Sequence, residues 1–220
     1  MEQIKFLIDF ILHIDDHLRN IIMDYGVWTH GILFAVIFVE TGLVIMPFLP
    51  GDSLLFAAGA FAADGLLNVW GLIVLLIIAA VLGDAVNYSI GHYLGERAYS
   101  IKWIKKEYIE KTHAFFEKHG GKAIFLARFV PIVRTFAPFV AGVGKMSYAY
   151  FATYNIVGGV TWVVLFTLLG YFFGRLEFVQ KNFELVIIVI ILMSVVPMIV
   201  EWWKARRESK MEKATKAETP

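Results

Sequence analysis

Two arginines, Arg128 and Arg134, stand six positions apart in "ARFVPIVRTFAPFVAGVG" (127–144), a stretch that is otherwise apolar enough to dissolve in lipid and is broken by Pro131 and Pro138. A guanidinium keeps its charge in any protein environment, and its planar fork donates two parallel hydrogen bonds to a carboxylate or phosphate. Three acids lie in or beside comparable apolar runs: Glu40, Asp52 and Asp84. A charged side chain at the bilayer centre costs about 2.5–3.5 kcal/mol or more, so all five groups are expected to face the protein interior and to pair. Arginines so placed suit gripping a phosphate, whereas an acid buried in a span is a natural proton carrier. Arg128 and Arg134 are therefore the candidate phosphate ligands, and Glu40 and Asp52 the candidate proton-coupling acids. The plainer alternative has the arginines pinning a hairpin to lipid phosphates, with Glu40 as a structural partner of one of them.

Supporting positions surround these five. In "GDAVNYSIGHYLG", Asp84, Asn87, Tyr88 and Gly91 follow i, i+3, i+4, i+7 spacing and share one helix face, which reads as a buried hydrogen-bond network. Asn155, Gly158, Gly159 and Trp162 mark a similar face further on, where small residues allow close packing. Pro50, Pro131 and Thr135 accompany the charges, and Gly51, Gly59 and Gly142 suit turns or close backbone approach. His92 reads as a bystander, and His113 and His119 as solvated surface. No Asp-rich metal motif and no cysteine occur, so neither a metal nor a cofactor is expected.

The elements that must position these groups follow from composition. The chain has 220 residues, 59% of them hydrophobic, with net charge +1 and mean hydropathy +0.68. A soluble domain of this size cannot hide so much apolar surface, and the near-neutral charge argues against nucleic acid as a partner. The opening "MEQIKFLIDFILHIDDHLRN" carries Asp9, Asp15 and Asp16 and lacks a basic start and a cleavage site, so it reads as retained rather than as a signal peptide. Four stretches are long enough to span: Val27–Met46, Val69–Ile90, Tyr150–Phe173 and Phe183–Trp203. Two others, 47–63 and 122–144, are punctuated by Pro and Gly and suit re-entrant hairpins, tolerated only where protein or a wet cavity surrounds them.

The hairpins resemble each other weakly. Pro50, Asp52, Ser53 and Ala58-Gly59 answer Pro131, Arg134, Thr135 and Ala141-Gly142, and each hairpin precedes a long span. Oppositely facing, they form the inverted repeat from which transport sites are built. Most Lys and Arg fall in the middle loop and the tail, and the positive-inside rule places both in the cytoplasm. The expected fold class is an all-α polytopic membrane protein with about four full transmembrane helices plus two re-entrant hairpins in an inverted repeat, with amphipathic N-terminal and cytoplasmic helices and both termini cytoplasmic. Residues 1–25 read as an interfacial helix, 26–207 as the transmembrane domain, 96–119 as the polar cytoplasmic helix, and 208–220 as a disordered tail.

The runs "ETGLVIMPFLPGDSLLFAAGA", "GDAVNYSIGHYLG" and "KHGGKAIFLARFVPIVRTFAPFVAGVGKM" resemble the motifs of the DedA family of bacterial inner-membrane proteins, in the VTT-domain superfamily. The resemblance covers nearly the whole chain except the tail. It implies a role in membrane homeostasis, dependence on proton motive force, and transport of undecaprenyl phosphate, the lipid carrier of cell-wall synthesis; eukaryotic members of the superfamily are phospholipid scramblases. The family's essential acids fall on Glu40 and Asp52, and its essential arginines on Arg128 and Arg134. Membrane lipids and protons are the implied partners, and homo-oligomerisation is left open.

Competing readings are a proton-coupled exporter of small cations or drugs, with the acids as its site, and an energy-independent scramblase. A lipid phosphatase would need a histidine nucleophile or base near the arginines, and the histidines are not spaced for it, so no enzyme is expected. A purely structural role leaves the buried charges without a purpose.

Overall fold

In the computed structural model, residues 14–43, 51–95, 121–183 and 185–190 are described, and among them every regular element is helical. The chain forms α1 (Ile14–Tyr25), α2 (Trp28–Gly42), α3 (Gly51–Ala63), α4 (Val69–Leu94), α5 (Lys122–Ala127), α6 (Pro131–Val143), α7 (Tyr148–Phe173) and α8 (Glu177–Lys181), and residues 185–190 are helical again. Pro50, the helix expected at 96–119, most of the fourth expected span and the tail lie outside the described residues.

Among the described residues, two elements have the length and composition to cross a bilayer, α4 and α7, each of 26 residues. At 1.5 Å per residue each is about 39 Å long, more than the roughly 30 Å of hydrocarbon to be crossed. Asn68 starts α4 with an N-cap bond from the Gly71 amide to its side-chain oxygen at 2.8 Å, and Gly95, at φ +50, ends it. On α4, Trp70, Val74, Ile78, Leu82, Val86 and Ile90 form an exposed stripe one turn apart, while Ala79, Ala80, Gly83, Asp84 and Asn87 are buried. Apolar side chains point out and polar ones point in, as a lipid solvent demands.

The remaining inner helices are short. Among the described residues of the first expected span, the helix runs over Trp28–Gly42, 15 residues, after which Leu43 adopts extended backbone. That is about 22 Å, too short to cross alone. The 122–144 segment is broken as its prolines predict. Pro131 confines Val130 to extended geometry (φ −122, ψ 103) and itself supplies the first turn of α6. Pro138 lies inside α6, which continues to Val143.

The helices pair in a repeating scheme. α2 packs along α4 and α5 along α7; α3 packs on α7 and α6 on α4; α4 and α7 also touch. The α3–α7 contact is so close that a Cβ on Gly59 would collide with the Thr167 carbonyl, and one on Gly170 with the Phe56 carbonyl. The α4–α6 contact repeats this, with Gly142 against the Tyr88 carbonyl and Gly91 against that of Phe139. Each seam thus joins two reciprocal glycines, each facing the carbonyl three residues before its partner. Glycine is needed here for near approach of two backbones.

These contacts also fix which ends lie together. The start of α2 and the end of α3 lie near α1, through Thr29 Oγ1 donating to the Ile21 carbonyl at 3.2 Å and Arg19 over the Phe61 ring at 5.9 Å. The end of α7 is there too, Gly174 facing Ala60. The far end of the molecule holds Gly121 against the Tyr150 ring, Tyr88 stacked on Phe151 at 4.5 Å, and a Tyr88 hydroxyl bond to the Met146 carbonyl. α1, expected to lie flat on the membrane surface, therefore packs against α2 and α3.

Candidate functional site

Between these two ends, midway along α4 and α7, the broken helices converge. Arg134, in the first turns of α6, is held by two acids. Its Nη2 donates to Glu40 Oε1 at 2.6 Å and its Nη1 to Asp52 Oδ1 at 2.8 Å. Glu40 comes from the last turn of α2 and Asp52 from the first turn of α3, so the end of one helix and the start of the other are both clamped onto α6. Gly51 lies beside the Glu40 carboxylate, where a Cβ would overlap both oxygens.

Arg128, at the α5–α6 break, is held differently. Its Nη2 donates to Asp84 Oδ2 on α4 and to Asn155 Oδ1 on α7, the latter at 2.5 Å. Asn155 in turn donates to the Val81 carbonyl at 3.1 Å, tying α7 to α4. Gly158 lets the arginine lie against α7, since a Cβ there would sit 3.0 Å from its Cδ and 3.1 Å from its Nε. Arg128 is 3% exposed, yet its Nε and Nη1 make no hydrogen bond among the described residues, and neither do Asp84 Oδ1 and Asn87 Oδ1. Buried polar atoms are rarely left without a partner in proteins, which makes this the cluster to explain.

One side chain joins the two centres. Trp162 of α7 is fully buried; its Nε1 donates to Asp52 Oδ1 at 2.7 Å. Its ring lies 5.0 Å from the Arg134 guanidinium and 5.9 Å from that of Arg128. Both distances are within the reach of a cation–π attraction.

Expected site residues thus fall into three groups. Glu40, Asp52, Asp84, Arg128 and Arg134 are brought together. Asn87 and Thr135 lie at the edge, the Asn87 amide donating to the Thr41 carbonyl at 3.1 Å and the Thr135 carbonyl at 2.9 Å. Tyr88 is buried on the same face of α4 but serves the far end of the molecule. Asp84, expected in a buried network and as one of five charges that pair, is the carboxylate that meets Arg128. Trp162 and Asn155 were legible as a packing face but not as partners of the charges. A polar residue and an indole at helical spacing among glycines were the available signal.

Long apolar helices around a buried ionic cluster define an all-helical membrane protein. The VTT domain pattern matches residues 49–172, which include Asp52, Asp84 and both arginines. The chain is 57% identical to Protein DedA of Escherichia coli strain K12 over 212 residues, covering 94% of this chain and 97% of that one. It is 43% identical over 187 residues to the uncharacterized membrane protein Rv0364 of Mycobacterium tuberculosis, covering 81% and 82% of the two chains. Identity to the inner membrane protein YqjA of Escherichia coli is 38% over 147 residues, 66% and 67% of each. No solved structure matches. The chain belongs to the DedA family of VTT-domain membrane proteins.

Proposed function

We propose that this protein carries an anionic lipid headgroup, that of undecaprenyl phosphate or a similar polyprenyl phosphate, across the bacterial inner membrane under proton motive force. The observation that carries the reading is the cluster itself: one arginine clamped by two acids, and a second with guanidinium donors uncommitted, where broken helices meet. Arg128 offers a phosphate oxygen Nε and Nη1 without surrendering Asp84. Arg134 becomes available when Glu40 or Asp52 takes a proton and lets go. The polyprenyl chain stays in lipid beside the apolar outer faces.

Charge arithmetic supports coupling to protons. Three carboxylates against two guanidiniums leave −3 + 2 = −1. One bound proton neutralises the empty site, and each negative charge that enters with phosphate calls for one more, because net charge in an apolar surround is costly.

Re-entrant hairpins give the cluster access from both sides. In this reading α2–α3 is one hairpin, opening beside α1, and α5–α6 is the other, opening at the far end. On this proposal the first hairpin begins at Trp28 rather than at 47, and α4 and α7 are crossings, with the expected span Phe183–Trp203 kept as a further one. The basic segments 96–120 and 204–217 still share a side, cytoplasmic by the positive-inside rule, but α1 now falls on the opposite face. This proposal differs from the sequence expectation that the N-terminal segment is cytoplasmic. The chain has no native cysteine. A membrane-impermeant maleimide added to intact spheroplasts should therefore label Asp24→Cys and leave Lys118→Cys unlabelled; the reverse pattern rejects the topology.

Transport itself is tested in proteoliposomes loaded with labelled undecaprenyl phosphate and a proton gradient. Arg134→Ala should lower the rate by about 100-fold or more, as expected for loss of a charge-assisted bidentate contact, and an unchanged rate rejects the role. A rate indifferent to uncouplers identifies a scramblase instead. Loss in Glu40→Gln with full retention in Arg128→Gln identifies a cation exporter.

A further inference from the structure

The geometry points to Trp162 as a positioning residue that makes the two arginines act as one unit, its ring carrying both guanidiniums and its N–H holding Asp52. The inference rests on the transport reading for its consequence, but not for its geometry.

A buried tryptophan that donates its N–H to some acceptor is ordinary core packing. Three coincidences at Trp162 go beyond that. The acceptor is Asp52 Oδ1, the same oxygen that accepts from Arg134 Nη1. The ring that presents this N–H also lies 5.0 Å from Arg134 and 5.9 Å from Arg128. Finally, the direct ion pairs differ, Arg134 meeting Glu40 and Asp52 and Arg128 meeting Asp84, while Asp84 also attracts Arg134 at longer range. The indole is an uncharged group in contact range of both guanidiniums.

The consequence is mechanical. When Asp52 releases Arg134, the indole N–H keeps the carboxyl from drifting, and the π face keeps the guanidinium from following it. Arg134 stays beside Arg128 while its counter-ion is exchanged. The groups facing Asp52 are Arg134 from α6 and Trp162 from α7, with Glu40 from α2 on the same guanidinium. Arg128, at the α5–α6 break and paired with Asp84 of α4, lies 5.9 Å from the ring centroid.

Two substitutions separate the functions. Trp162→Phe keeps a π face and removes the N–H; Trp162→Leu removes both. In the full-length protein in proteoliposomes, Trp162→Phe should displace the pH–rate profile while KM for the lipid stays within about twofold. Trp162→Leu should raise KM by about tenfold as well, the size of a desolvated cation–π contact. A profile that does not move in Trp162→Phe overturns the inference, as does a merely structural outcome in which both variants lose rate and thermal stability with an unchanged profile. An independent readout needs no substrate: the emission of Trp162, taken as wild type minus Trp162→Phe in nanodiscs, should change with pH and should lose that change in Asp52→Asn. A pH-independent difference spectrum overturns the inference. A titrating spectrum without undecaprenyl phosphate transport leaves the indole's role intact and rejects the substrate assigned above.

Discussion

Arg134 and Arg128 lie against the same indole, are both buried, and come from one broken segment, but their surroundings differ in kind. Arg134 meets two carboxylates carried by the ends of two short helices, and both its terminal nitrogens are committed. Arg128 meets one carboxylate and one amide carried by the two long helices, and it keeps donors to spare. Duplicate acids on interrupted elements make a clamp that can open one bond at a time. A single acid in the middle of a continuous helix makes a fixture. On the transport reading proposed above, the difference suits Arg134 to exchange and Arg128 to anchoring.

The largest effect that tests this contrast comes from Asp84. Asp84→Ala leaves Arg128 buried without a carboxylate, which should cost about 3–5 kcal/mol of stability and strongly lower the thermal unfolding midpoint in detergent. If Asp84→Ala is no worse than Asp52→Ala, the distinction between fixture and clamp fails. Next is Gly158→Ala, whose methyl would press within 3.0–3.1 Å of Arg128. Overpacking there should cost about 1–3 kcal/mol and displace the arginine from Asp84. Normal stability with normal transport would mean that Arg128 is not held as tightly as the geometry says.

The smallest single effects should come from the clamp, because each acid covers for the other. Asp52→Asn or Glu40→Gln alone should cost about 1–2 kcal/mol of stability. Together they should cost more than the sum, by about 0.5–3 kcal/mol, the coupling expected of residues sharing one partner. Strict additivity in that cycle would show that the two acids do not share Arg134.

Much of the frame was legible in the chain. The 26-residue helices α4 and α7 read directly from unbroken apolar runs, since only a helix satisfies its own backbone in lipid. Pro131 announced the α5–α6 break because proline restricts the residue before it. The five charges stood out because lipid makes each of them expensive. The extent of the first broken element was not legible: Val27–Met46 contains no proline before Pro47, and the stop of α2 at Gly42 coincides with its contact on Gly83 of α4.

Sequence by itself determined that this chain is a helical membrane protein and that its buried charges must pair, because hydropathy and desolvation act on residue type and need no partner to be known. Only the tertiary structure decided which acid meets which arginine, and that one tryptophan lies against both. Glu40 and Arg134 are 94 positions apart, and Asp52 and Trp162 are 110 apart. Such pairings depend on how short helices seat against long ones, where backbones approach through reciprocal glycines, and no local pattern carries that information.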